Sequence, residues 1–467
     1  MKKHIQLPNI LKIHPFIQKL QWVADPVDYM ENAAQQYPDI FTGKIIGFGD
    51  TVVFVNHPKA IQEILTNDRK KFIAVGDKNR IVEALIGERS LFLMEGISHK
   101  QKRQLVMPAF HGDRMPAYAQ QICSLCTKFF TQLPLNQHFL AHNLTQEITL
   151  QVILQVVLGL NEGEKLQQLK YLLPQMLDLF RSPMTSSLFF FSFLQKDLGP
   201  WSPWGKFLRD RERIDELIYA EIAERRQQLD PGRSDILSML ISAQDDTGQS
   251  MTDQELRDQL MTLMLAGYET TATAIAWGLY WIHQKPLVCE KLLKELDTLG
   301  DSPDPMSIYR LPYLTAVCNE TLRIHPVIMF CFPRVVQEPV ELLGHPLQPG
   351  AVLLPSVYLT HQREDLYPQP KEFQPERFLE RQFSPYEFLP FGGGVRRCLG
   401  EALAIFQMKL ILATALSHYE FALVDRRPEQ PQRRGFTLAP AGGVKMVITG
   451  RHVRQESLVN MTTAPVS

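Results

Sequence analysis

The stretch Phe391-Gly392-Gly393-Gly394-Val395-Arg396-Arg397-Cys398-Leu399-Gly400 places a run of three glycines, two arginines, a cysteine and a fourth glycine just before an apolar, helix-like run, Glu401 to Leu416. A glycine-rich loop lets backbone approach a flat ligand closely, and helix-start amides with neighbouring arginines favour a thiolate. The guanidiniums could also pair with carboxylates on a ligand. A thiolate held by amides against an apolar wall suits an iron better than a disulfide. Two plainer readings stand beside this one. A free cysteine is commonly a small core residue, and glycines before a helix can cradle a phosphate. Against the phosphate, no Lys-Ser or Lys-Thr follows the glycines and no strand-loop-helix repeat surrounds them.

Other segments must position such a loop. Thr252-Asp-Gln-Glu255 is a capping box, and the run it opens continues to Lys285, before Pro286, predicting a helix of about 33 residues and roughly 50 Å. Between Met261 and Ile282 only Glu269 is charged, so hydropathy alone suggests a transmembrane span. The cap, the charged ends and the central glutamate favour a buried helix of a globular protein instead. Within Ala266-Gly267-Tyr268-Glu269-Thr270-Thr271, Gly267 implies close approach or distortion, and Glu269 needs a partner if buried. Thr270 can bond back to the helix or bind a water.

His99 and Arg103 lie four apart in Gly96 to Phe110, with Lys100 and Lys102 beside them; the plain reading is a solvated basic face. Glu320 and Arg323 share a face of a helix that ends at His325-Pro326, and Pro375-Glu376-Arg377-Phe378 adds an arginine upstream of the cysteine loop.

The pattern Phe-x-x-Gly-x-Arg-x-Cys-x-Gly is met at every fixed position, and with these segments in order the chain resembles the cytochrome P450 family over essentially its whole length. The resemblance implies a mainly α-helical single domain, 1–467, with a smaller β-rich region and haem b between the long helix and the cysteine loop. Cys398 would be the axial iron ligand. Pro390, Phe391, Gly392 and Gly400, with Ala266 and Gly267 opposite, would border the haem, and His99, Arg103, Arg334 and Arg396 would hold its propionates. Glu269 and Thr270 would relay protons to dioxygen, and Glu320, Arg323 and Arg377 would form a structural network. Tyr268, Val327, Phe330, Phe332 and Leu438 would touch substrate.

The implied activity is monooxygenation of a hydrophobic molecule, with a long-chain fatty acid or terpenoid as the expected substrate and Arg80 or Arg181 as carboxylate anchors. No flavin or iron–sulfur motif is present, so two electrons must come from outside. The expected donor is a ferredoxin with its reductase, docking near Lys100, Lys102 and Arg397. Alternatives are an isomerase or peroxygenase of the same fold, and a non-enzymatic haem sensor.

The 467 residues carry a net charge of −1, so no global field recruits nucleic acid or an anionic membrane. Six cysteines without framework spacing suggest a reducing compartment. Lysines at 2, 3, 12 and 19 interrupt the N-terminus, which argues against a signal peptide or anchor helix and for a cytoplasmic protein. Cys123 and Cys126 fall within an amphipathic helical pattern. Ile40 to Ile46 and Thr51 to Val55 predict a β-hairpin, and Lys70 to Leu93 reads as a mobile segment. Prolines break Tyr171 to Gly205, where the uncharged run Ser182 to Gln195 reads as a lid, a membrane-resting patch or a buried loop.

Overall fold

The computed structural model describes residues 7–76, 82–110, 115–178, 195–228, 230, 232–300, 303–425 and 427–452. Arg80, Arg181 and residues 182–194 of the uncharged run lie outside these. The helix Asp253–Gln284 threads the largest apolar cluster and buries residues around most of its girth. Its start is the predicted capping box: Glu255 N donates to Thr252 Oγ1 at 3.2 Å, and Thr252 N donates to the Glu255 carboxylate at 3.0 Å. A second helix, Ala141–Leu158, packs along it. Thr149 Oγ1 donates to Tyr268 O at 2.9 Å, and Thr145 Oγ1 donates to Ala272 O at 3.0 Å. Gly267 allows this approach, since a Cβ there would sit 2.6 Å from Ile153 Cδ1. Of the two predicted reasons for Gly267, close approach is the one realised.

The cysteine helix Glu401–His418 packs against the central helix and against Met115–Thr131. Cys126 is fully buried and its thiol points to Ile411 O at 3.6 Å, a packing role between two helices. Around this helical body lies a five-stranded sheet in the order Ile40–Gly43, Val52–Val55, Val352–Pro355, Arg334–Val336, Phe72–Ile73. The predicted hairpin forms its first two strands. Phe72 and Ile73 pair with Val336 and Val335, so the start of the segment expected to be mobile is an edge strand. Pro174, expected as a break, lies inside the helix Glu164–Asp178. Leu166, Leu169, Leu173 and Met176 bury one continuous face, which outweighs the single hydrogen bond a proline removes. The hairpin Pro431–Arg434 with Thr437–Pro440 was not expected from the sequence. Among the described residues no helix is long and apolar enough to cross a membrane.

Two buried histidines link this fold to pH. His325 stacks on Trp277 with centroids 3.7 Å apart, and His361 Nε2 accepts from Leu389 N at 3.0 Å. Burial pushes both imidazoles down to about 3. Between that value and the ordinary pKa of about 6.5, the unfolded chain binds protons that the native state refuses, so stability falls as pH falls. Acidification from pH 7 to 5.5 should cost about 2 to 3 kcal/mol from this pair, read as a lower urea midpoint. A midpoint unchanged or raised would contradict the assignment.

Candidate active site

The cysteine loop is drawn tight by its own backbone. Cys398 N donates to Phe391 O at 3.0 Å, Gly392 N to Leu389 O at 2.9 Å and Arg397 N to Gly394 O at 3.1 Å. Gly392 and Gly394 adopt φ of 66° and 64°, conformations that favour glycine. Space is the second constraint: a Cβ on Gly393 would lie 2.6 Å from Leu65 Cδ1, and one on Gly394 would lie 2.1 Å from Asp68 Oδ2. Two of the three glycines therefore let the loop pack on its own protein, a need the sequence did not reveal. The helix begins at Glu401, beyond the cysteine.

Cys398 is solvent-accessible although protein surrounds it closely, as at the floor of a recess. Burial pushes its thiol pKa up; the Gly400 amide, Arg103 and Arg397 pull it down. The net shift is upward, so the protein groups alone do not hold the thiolate that the sequence suggested. A metal cation at the sulfur would reverse the sign.

Beside the sulfur, cations converge without enough anions. Burial and the charges of Arg396, Arg103 and Arg334 press the His99 imidazole down to about 3. Among the described residues neither the His99 side chain nor the Arg103 guanidinium has a hydrogen-bond or ion-pair partner. Arg334 gives its Nη atoms to Phe332 O, Gly393 O and Asp68, and Arg396 gives its own to Ala74 O, Leu91 O and Met94 O. Their Nε atoms are buried and unpaired. A cradle of four basic groups with orphaned donors fits a ligand carrying two carboxylates, as haem b does. The Arg396 guanidinium also lies 4.5 Å over the Phe332 ring.

A second accessible surface interrupts the buried central helix. Ala266 is exposed, and Thr262, Leu263, Glu269 and Thr270 are partly so. Thr270 Oγ1 donates to Ala266 O at 2.5 Å. The Glu269 carboxylate accepts from Gln146 Nε2 and lies 3.7 Å from His142 Nε2. Tyr268 does not join this strip. It is 2% exposed in the core, because consecutive helix positions point about 100° apart. The Phe330 ring packs on Trp22, Phe48 and Phe54 beside the five-stranded sheet. Val327 and Leu438 meet through the bond from Leu438 N to Val327 O at 2.9 Å, and Trp277 Nε1 fixes Leu438 O at 3.0 Å.

The charge network ties the helix Pro312–Ile324 to the segment leading into the loop. Glu320 and Arg323 are wholly buried, with Arg323 Nε and Nη2 donating to the carboxylate at 2.6 and 2.8 Å. Arg377 Nε and Gln374 N reach the same oxygen at 3.1 and 2.8 Å. Arg323 also holds His361 O and Pro370 O, each at 2.9 Å. Of the cations expected to receive a donor protein, Lys102 is spent on Glu255 at 2.7 Å and Arg397 on Glu401 at 2.6 Å. Lys100 is exposed.

Sequence reasoning missed Asp68, His142, Gln146 and His361. Asp68 Oδ2 accepts from Val395 N at 2.8 Å and lies 3.4 Å from Arg334 Nη2, so it fastens the cysteine loop and the basic cradle together. A single aspartate 327 positions away from its partner leaves no local pattern to find.

A mainly helical fold with a buried central helix, a recessed cysteine and a cradle for a dicarboxylate defines a haem-thiolate class of protein. The cytochrome P450 family profile matches residues 8–445. Cytochrome P450 135B1 of Mycobacterium tuberculosis is 33% identical over 460 residues, covering 98% of this chain and 94% of that one. Cytochrome P450 135A1 of the same organism is 30% identical, covering 94% and 93%. Among solved structures, the retinoic acid-bound cyanobacterial CYP120A1 superposes with a TM-score of 0.84 at 24% identity, over 96% of this chain and 100% of that one. The cytochrome P450DA haem domain gives 0.82 at 21%, over 96% and 98%. The chain belongs to the cytochrome P450 family, the haem b-binding monooxygenase oxidoreductases.

Proposed function

We propose that the chain acts as one catalytic domain that hydroxylates a hydrophobic small molecule, a long-chain fatty acid or a terpenoid, using two electrons per turnover from a ferredoxin-type donor. The observation that carries this reading is the basic cradle with unpaired donors beside an accessible Cys398. Haem b bound there would supply dioxygen reduction, with thiolate donation favouring O–O cleavage. Cys398 would bind its iron, while His99, Arg103, Arg334 and Arg396 would hold the propionates. Pro390, Phe391, Gly392 and Gly400 would border the haem from the cysteine loop, and Ala266 and Gly267 from the central helix. Val327, Phe332 and Leu438 exclude water and orient a C–H bond. Thr270 releases its bond to Ala266 O to position a water, and Glu269 holds the proton that this water passes on.

Incubation of the holoenzyme with an electron source, labelled dioxygen and a panel of both substrate classes should place one labelled oxygen atom in the product. In Thr270→Ala, electron consumption should persist while product per electron pair falls about 10- to 100-fold and hydrogen peroxide rises, the scale of a lost proton-transfer group. Unchanged coupling in that variant would remove Thr270 from the relay and favour the isomerase or peroxygenase reading.

A further inference from the structure

We infer that His142 is the residue that positions and reprotonates Glu269, linking it to the surface hairpin at Arg434; the inference rests on the reading of Glu269 as the proton-holding acid. His142 is fully buried and sits on the helix Ala141–Leu158, its backbone N held by Gly443 O at 3.1 Å. Its Nε2 lies 3.7 Å from Glu269 Oε1 and 3.1 Å from Thr273 Oγ1. Its Nδ1 lies 3.4 Å from Arg434 Nη1, and Arg434 Nη2 donates to Ala441 O at 3.2 Å.

A guanidinium can only donate, so Nδ1 accepts and the ring proton sits on Nε2, on the side of Glu269 and Thr273. Gln146 already supplies the Glu269 carboxylate with an amide donor. An imidazole adds what an amide lacks, a second nitrogen able to take up a proton while the first gives one away. Arg434 is half-buried at the end of strand Pro431–Arg434, so Nδ1 faces the outer edge of the fold through one side chain.

The step conserves charge and moves no electrons. Nε2 gives its proton to the Glu269 carboxylate as Nδ1, uncovered by movement of Arg434, takes one from solvent, which keeps the hydroxide. The ring ends neutral in the other tautomer, and proton exchange with water at its two nitrogens restores the first. Among the described residues, Glu269 faces His142 from the central helix and Arg434 from the hairpin.

The test compares wild type, His142→Gln and Glu269→Gln as holoenzymes. Glutamine retains a donor toward Glu269 and cannot pass a proton through. His142→Gln should therefore keep haem loading and the absorption band of the reduced carbon monoxide adduct, yet lose about tenfold in product per electron pair, with a larger solvent isotope effect. Wild-type coupling in His142→Gln, with Glu269→Gln uncoupled, overturns the relay and leaves Glu269 as the acid. Wild-type coupling in Glu269→Gln overturns the reading beneath it, and the relay with it. Should His142→Gln fail to load haem, nitrogen NMR of histidine-labelled wild type as the carbon monoxide complex decides: an Nε2–H ring for His142 supports the relay, and an Nδ1–H ring overturns it.

Discussion

Cys398→His is expected to bind haem and to lose the thiolate-dependent absorption band of the reduced carbon monoxide adduct, with monooxygenation falling at least about a hundredfold. The expectation follows from where the sulfur sits. It is accessible at a recess, with the Gly400 amide and Arg103 drawing it toward the anionic form against a burial penalty. An imidazole at the same position is neutral and cannot push electron density as a thiolate does. The measurement is the carbon monoxide difference spectrum beside product analysis. An unaltered band and rate would mean that another side chain ligates the iron.

Glu320→Ala should prevent haem incorporation and lower the unfolding midpoint. The carboxylate accepts from Arg323, Arg377 and Gln374 N inside the protein, and Arg323 is fully buried. Removing it leaves a buried guanidinium without its counter-charge, a loss of about 3 to 5 kcal/mol against a typical total of 5 to 15. Arg323 also pins the carbonyls of His361 and Pro370, and His361 Nε2 accepts from Leu389 N at the entrance to the loop. The damage should therefore reach the cysteine. Haem content and the denaturant midpoint report it, and a variant with normal haem and stability would assign Glu320 no such role. By contrast, truncating Arg397 of the exposed Arg397–Glu401 pair should leave stability nearly unchanged, because water screens it.

Tertiary packing settled where several of these side chains lie. Tyr268 lies in the core because on a helix the position adjacent to Glu269 turns to another face. Phe330 went to the aromatic cluster of the sheet because Trp22, Phe48 and Phe54 surround it there. Lys102 looked like a docking cation, and Glu255 at the start of the central helix captures it. The outcomes at Phe330 and Lys102 have no signature within ten residues of the side chain concerned.

What the sequence determined by itself is the chemistry that is local in the chain. The Phe391–Gly400 loop, the capping box at Thr252 and the Glu320–Arg323 spacing each depend on backbone conformation or helical period, which neighbouring residues set. Tertiary structure decided the rest: that Asp68 clasps the cysteine loop, that four basic groups meet with orphaned donors, and that Glu269 turns toward His142 and Gln146. Those depend on the energy of a buried charge, which is set by whatever the fold brings within a few ångströms and not by its neighbours along the chain.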